Sequence, residues 1–215
     1  MNKHLKNVLQ ILYYFSLVYF TYLMALITLQ YVPLNYDVSF LVLKDELINE
    51  LHYQIAFFSH VYTSIFVLIA GIPQFSSWFR SKYSSWHKRL GKFYVFVILF
   101  VAAPSGFVMA IYANGDLLTK SSFLLQAVLW FGFTWIAFKS ALQQNWSKHE
   151  NFMLRSYALT LSAITLRLFK WIIVSVWELP PMDTYKIVAW LGWVFNILVI
   201  ELYIYKKRTS QKVIS

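Results

Sequence analysis

The apolar positions of this chain fall in long solid stretches rather than in alternation with polar ones. Asn7 to Tyr36 contains no Asp, Glu, Lys, Arg or His. Between His52 and Arg80 the only ionisable group besides tyrosine is His60, and Phe93 to Gly115 is again uncharged. Runs of about 18 or more apolar residues read as membrane-spanning helices, because roughly 20 residues at about 1.5 Å rise cross ~30 Å of hydrocarbon. The pattern predicts six spans, over about 8–31, 53–76, 92–113, 122–143, 152–177 and 185–206. They form one all-α polytopic bundle over residues 1–215, with no repeat, linker or second domain. The alternating pattern of a membrane barrel is absent. Lys3 and Lys6 followed by an apolar stretch imitate a signal peptide, but the stretch is too long for one. It also has no small-residue cleavage site before Asp37, so a retained first helix is expected.

Composition supports this class. Charged residues make up 13% of the chain and hydrophobic ones 59%, whereas a soluble domain covers itself with about 25% charged residues. The net charge of +10 raises nucleic acid as a partner, but its distribution removes it. Lys3, Lys6, Arg80, Lys82, Lys88, Arg89, Lys92, Lys148, Arg155, Lys206, Lys207, Arg208 and Lys212 all fall on one predicted side. Asp37, Asp45, Glu46, Glu50, Asp116, Glu178 and Asp183 fall on the other, against Lys44, Lys120 and Lys186. Basic short loops stay in the cytoplasm. Both termini are therefore expected in the cytoplasm, with the protein multi-pass in a bacterial inner membrane. Trp78, Tyr83, Trp86 and Trp146 on one side, with Trp177 and Tyr185 on the other, form the expected aromatic belts. The stretch from Leu43 to Leu51 predicts a short amphipathic helix lying on the outer surface. With no cysteine, disulfides, thiolate metal sites and iron–sulfur clusters are excluded.

Polar residues at depth carry the chemical information, because burying them is costly without compensation. At about 100° per residue, His149, Ser156, Thr160, Ala163, Arg167 and Lys170 share one stripe of the fifth helix, continued by Glu178. His60, Thr63, Ser64, Gly71 and Gln74 share a face of the second. Tyr94, Ser105 and Tyr112 align on the third, where Pro104 is expected to bend the helix and free a carbonyl. Gly192, Asn196 and Tyr203 align on the sixth. The four faces predict a shared, partly hydrated interior. His60, Gln74, Arg167 and Lys170 are its candidate ligand-binding residues, and Arg80, His87, Arg89, His149 and Arg155 form a polar cluster at the cytoplasmic side. Structural roles compete. Ser64, Gly71, Thr160 and Ala163 suit close helix packing. Lys139 and Glu201 sit where side chains snorkel to water. His52 reads as solvated, and His87 and His149 as helix-entry or headgroup residues.

Two runs have a familiar spacing: His60, Gly71, Gln74-Phe75, Arg80, His87, Arg89, Gly91, Tyr94, and His149, Met153, Arg155-Ser156, Thr165, Arg167. Together they resemble a bacterial membrane-protein family known as domain of unknown function 2306, over about residues 52–170. Lys88 stands where the family usually has Arg, and Phe152 where a Trp is common. Both replacements keep charge or aromatic bulk. The resemblance implies a polytopic membrane protein and supplies no reaction.

Three functions fit these residues. The first is an accessory or ligand-binding membrane subunit, on its own, as a homo-oligomer or within a larger complex in the lipid bilayer. The second is a transporter of small anions or lipid-like substrates, with His60, Arg167 and Lys170 receiving a carboxylate or phosphate. The third is a b-type haem electron carrier, with His60, Met109, His87 and His149 as candidate axial ligands. Catalytic residues and metal sites are not assigned. The HExxH, GxSxG and phosphate-loop patterns are missing, and His149 and Glu150, adjacent on a helix, diverge too far to share a metal.

Overall fold

The computed structural model of the chain describes residues 3–38 and 40–214. The side chains of Lys3, Lys6, Asp45, Glu46 and Lys212, used above for topology, lie outside that description. The described residues are helical apart from short connections, with no strand among them. Five helices are long and apolar enough to cross a membrane: Val8–Leu29, Leu51–Phe75, Ser84–Ile111, Leu117–Leu142 and Pro181–Ser210. A bent pair, Trp146–Thr160 with Ser162–Trp177, makes a sixth if it counts as one span.

In chain order, α1 (Lys3–Leu29) leads through a 3-10 turn (Leu41–Lys44) and α2 (Asp45–Ile48) into α3 (Leu51–Gly71). A 3-10 turn (Ile72–Phe75) and α4 (Ser77–Lys82) follow, then α5 (Ser84–Val97), a π turn (Ile98–Ala102) and α6 (Ala103–Ile111). The chain ends with α7 (Leu117–Leu142), α8 (Trp146–Thr160), α9 (Ser162–Trp177) and α10 (Pro181–Ile214). The third span thus starts before 92, because α5 continues through the basic residues, and the fifth starts before 152 because Trp146 opens α8.

Contrary to the single straight fifth helix expected from sequence, this span bends by 41° at Leu161. Hydroxyls on both sides of the bend bond back to the backbone: Thr160 to the Ser156 carbonyl, Ser162 to Leu159 and Thr165 to Leu161. Such back-bonds bend helices without proline. The Asn196 amide donates to the Ala158 carbonyl (3.0 Å) and to Thr165 Oγ1 (3.0 Å). In a membrane every exposed backbone group needs a partner, so α10 supplies the donor that the bent span requires. Gly192 lets α10 approach: a Cβ there would meet Leu166 Cβ at 2.9 Å. The pairing continues through Lys207 with Glu150 (2.7 Å) and through Arg155, whose guanidinium grips both Glu201 oxygens. Glu201 is therefore an ion-pair partner of α8 rather than a free snorkelling residue.

The acidic-loop end is closed by a plug. Tyr31, Leu41, Tyr53, Phe57 and Phe58 are buried together, with Met109 and Tyr112 packed against them. Of the stretch Leu43–Leu51, expected on the outer surface, Leu43 and Leu51 are exposed, while Leu47 and Ile48 pack against this plug and Lys44 is 5% exposed. The Lys44 ammonium bonds to the Tyr112 carbonyl and Asn114 Oδ1 at the end of α6, where the helix dipole favours a cation. Burial, with Lys120 nearby, holds it below the ordinary lysine range. His52 Nε2 meets the Tyr112 hydroxyl (2.8 Å).

Candidate functional site

The polar residues at depth divide into two groups separated by a closed layer. The first group lies near mid-span. His60, nine residues into α3, is about 13 Å from that helix's acidic-loop end. Its Nδ1–H donates to the Ala102 carbonyl (2.8 Å) at the end of the π turn. A π turn before Pro104 shifts the backbone ladder of the third span, which still runs as one helix over Ser84–Ile111 where a bend was expected. Gly106 makes room for the ring, since a Cβ would lie 2.9 Å from His60 Cε1. The Trp130 indole stands edge-on at 6.4 Å. With Nδ1–H committed to a carbonyl, Nε2 carries the free lone pair of the neutral ring. It hydrogen-bonds to no described residue.

Arg167 belongs to this group. It sits ten residues before Trp177, about 15 Å from the end of α9. Its Nη1 donates back to the Ala163 carbonyl (2.9 Å), so the guanidinium points toward the membrane centre rather than snorkelling outward. No carboxylate among the described residues pairs with it, and its side chain is exposed. It is near enough to His60 and to Tyr31 for electrostatic interaction. Beyond the bend, α9 packs mainly on α10 and α1. Arg167 is thus exposed on α9, within electrostatic range of His60 on α3. Lys170, one turn further out, is also exposed. Met109 packs into the outer plug.

Below this group lies the sealing layer. The Tyr94 hydroxyl meets Ser156 Oγ (3.0 Å) and Thr160 Oγ1 (2.9 Å), Trp130 Nε1 donates to Thr160 (3.1 Å), and Ser156 meets Thr134 (2.7 Å). Thr160 and Thr134 also bond to backbone carbonyls, which ends the chain of hydroxyls inside the layer. Tyr94, Ser156, Thr134, Val67, Ile98 and Ala102 are fully buried there. The expected single interior is thus two interiors. The expected stripe on the fifth span is split accordingly, with Ser156 and Thr160 in the seal and Arg167 beyond it.

The second group is at the basic-loop end. Gln74, grouped from sequence with His60, lies fourteen residues further along the chain and packs beside Gly91 of α5. His87, one turn before Gly91, lies within electrostatic range of Arg80, His149 and Lys88. The Nδ1–H of His149 donates to the Ala137 carbonyl (2.9 Å). Arg80 and Arg89 are exposed, and Arg89 stacks over Trp86 at 5.7 Å. Arg155 is taken by Glu201. Gln74 Nε2 and His87 Nδ1 are buried without a partner.

The sequence matches the family described as "Predicted membrane protein (DUF2306)" over residues 57–204, which takes in both polar groups. The chain belongs to this family. It is a family of membrane proteins of unknown function, so membership gives the site no activity. No curated protein and no solved structure matches the chain.

Sequence reasoning missed the part played by α7. Ser122, Gln126, Trp130 and Thr134 recur every fourth residue. They bond respectively to the Ala189 carbonyl, Ser162, Thr160 and Ser156. That spacing was readable, but a Trp at its centre disguised it as a lipid-facing stripe. An apolar groove of about 590 Å³ lies elsewhere: Thr28, Leu29, Tyr62, Ile65 and Phe66 line it between α1 and α3. It suits an acyl chain.

Proposed function

We propose that this protein binds an acidic, lipid-like ligand within the membrane, its carboxylate or phosphate held by Arg167. The observation that carries the reading is the direction of Arg167: a mid-span guanidinium turned inward, with one backbone hydrogen bond and no carboxylate partner among the described residues. An arginine at the centre of a span costs about 2.5–3.5 kcal/mol on insertion scales, and a bidentate anionic ligand offsets that cost. The His60 Nε2 lone pair, within electrostatic range of Arg167, can accept from a hydroxyl of the same headgroup. Binding suits the sealed layer better than passage through the bundle does. The basic loops orient the protein with both termini in the cytoplasm of a bacterial cell, so the ligand enters from the outer leaflet. The chain then serves as a binding subunit, alone or beside a larger membrane complex.

The test is native mass spectrometry of the purified protein in mild detergent with an added long-chain fatty acid. Wild type retains the acid, and Arg167→Leu retains it about tenfold less or weaker still. Equal retention by both proteins rejects the assignment. A second reading, haem at His60, is favoured by one observation: Nδ1–H bonded to a carbonyl is how ligating histidines are oriented. Met109 is turned into the plug and supplies no matching ligand there. A reduced absorption spectrum with a sharp α band that His60→Ala abolishes would establish this reading instead.

A further inference from the structure

The second polar group carries an inference of its own. Gln74 is 6% exposed, and its Nε2 has no hydrogen-bond partner. Neither has the buried Nδ1 of His87. Buried polar atoms in native proteins are nearly always satisfied, so two orphans at one end of a bundle mark a place where something else bonds. The fold brings them together. Gln74 lies within the 3-10 turn after α3 and against Gly91, where a Cβ would sit 3.5 Å from its Oε1. His87 is one turn away on the same face of α5, and His149 opens α8 close enough to act on it.

The charge of the site selects its ligand. The Gln74 amide can only donate through Nε2, so the missing partner is an acceptor. Arg80 and Lys88 bear on His87. The carboxylates of this end are engaged, Glu150 with Lys207 and Glu201 with Arg155. Among the described residues no free carboxylate is left at this end for a metal cation. Trp78, Trp86 and Trp146 are exposed around the cluster, which sets it at headgroup depth. We infer that Gln74 and His87 form a second binding site, for a phosphate oxyanion, at the basic-loop end. Two sources supply that chemistry, the phosphodiester of an anionic lipid and free phosphate.

The experiment uses the full chain, delipidated in mild detergent, with thermal unfolding followed by tryptophan fluorescence. One arm titrates short-chain phosphatidylglycerol and the other inorganic phosphate. Stabilisation by phosphatidylglycerol alone assigns a lipid headgroup, and stabilisation by both assigns phosphate itself. Gln74→Glu places a carboxylate where the anion should bind, and weakens the response about tenfold or more. Gln74→Leu guards against misfolding: it removes an unpaired donor at similar volume, so it unfolds no earlier than wild type without lipid yet loses the response. Because the Arg167 site also takes an acidic lipid, the titrations are repeated in an Arg167→Leu background, and the response assigned to this second site is the part that persists there and is lost when Gln74→Glu is added. Absence of stabilisation by either probe, or a wild-type response in Gln74→Glu, overturns the assignment.

Discussion

Gly71→Ala tests the packing of the bundle by its sign. In a helix this change ordinarily stabilises by about 1 kcal/mol, because alanine is the better helix former. Here a Cβ would fall within 3.0 Å of three Tyr157 ring carbons. The ring has nowhere to go. Tyr157 is 4% exposed, packs on Phe75 at 5.2 Å and Tyr94 at 6.4 Å, and donates its hydroxyl to the Leu68 carbonyl (3.2 Å). Overpacking of this kind costs about 1–3 kcal/mol, and losing the hydroxyl bond about 1 more. Less the helix gain, the net is a destabilisation of roughly 1–3 kcal/mol. For a chain of this size that lowers the unfolding temperature by roughly 2–12 °C. The assay is thermal unfolding in detergent by tryptophan fluorescence, run as a double-mutant cycle with Tyr157→Leu. Removing the ring opens the space, so Gly71→Ala should cost much less in that background. Unchanged or raised stability in the wild-type background, or the same cost in both backgrounds, refutes the argument.

Asn196→Leu should destabilise by about 1–2 kcal/mol, since the Ala158 carbonyl loses its donor; an unchanged unfolding temperature would show that the bent backbone is satisfied otherwise. Arg155→Glu and Glu201→Arg should each lower stability, and the pair together should restore most of the loss, a coupling of about 1 kcal/mol for so exposed a partner. Asp116 caps α7 through the Thr119 amide and hydroxyl, which hold its carboxyl below the usual range, with Lys186 adding to the shift. A depressed folded pKa means stability present above the unfolded value of about 4 and lost as pH falls through the folded one. Unfolding temperatures below about pH 4 should therefore drop less steeply in Asp116→Asn than in wild type; parallel profiles would deny the cap a role.

Spans and their approximate limits were legible because apolar length is a one-dimensional property, and Phe93 to Gly115 needs no partner to be read. The polar faces were legible as faces, since periodicity places Tyr94 with Ser105, and His60 with Gln74. Depth was harder. Fourteen residues of the same face separate His60 from Gln74, and only the seal of Tyr94, Ser156 and Thr134 shows that they serve different interiors. The bend at Leu161 escaped notice because its causes are Ser and Thr back-bonds, common in straight helices as well. Arg155 and Glu201 are far apart in sequence, and their pairing depends on the register of α8 against α10.

The bend at Leu161 also bears on how the chain is assembled. The Ala158 carbonyl finds its side-chain donor on Asn196, which is synthesised a full span later. Until then the fifth span enters the bilayer without that donor. It has reason to stay straight, shallow or beside the translocation machinery until its successor arrives. The last two spans are thus one unit of insertion, and a chain stopped between them should be a substrate for quality control rather than a smaller version of the protein.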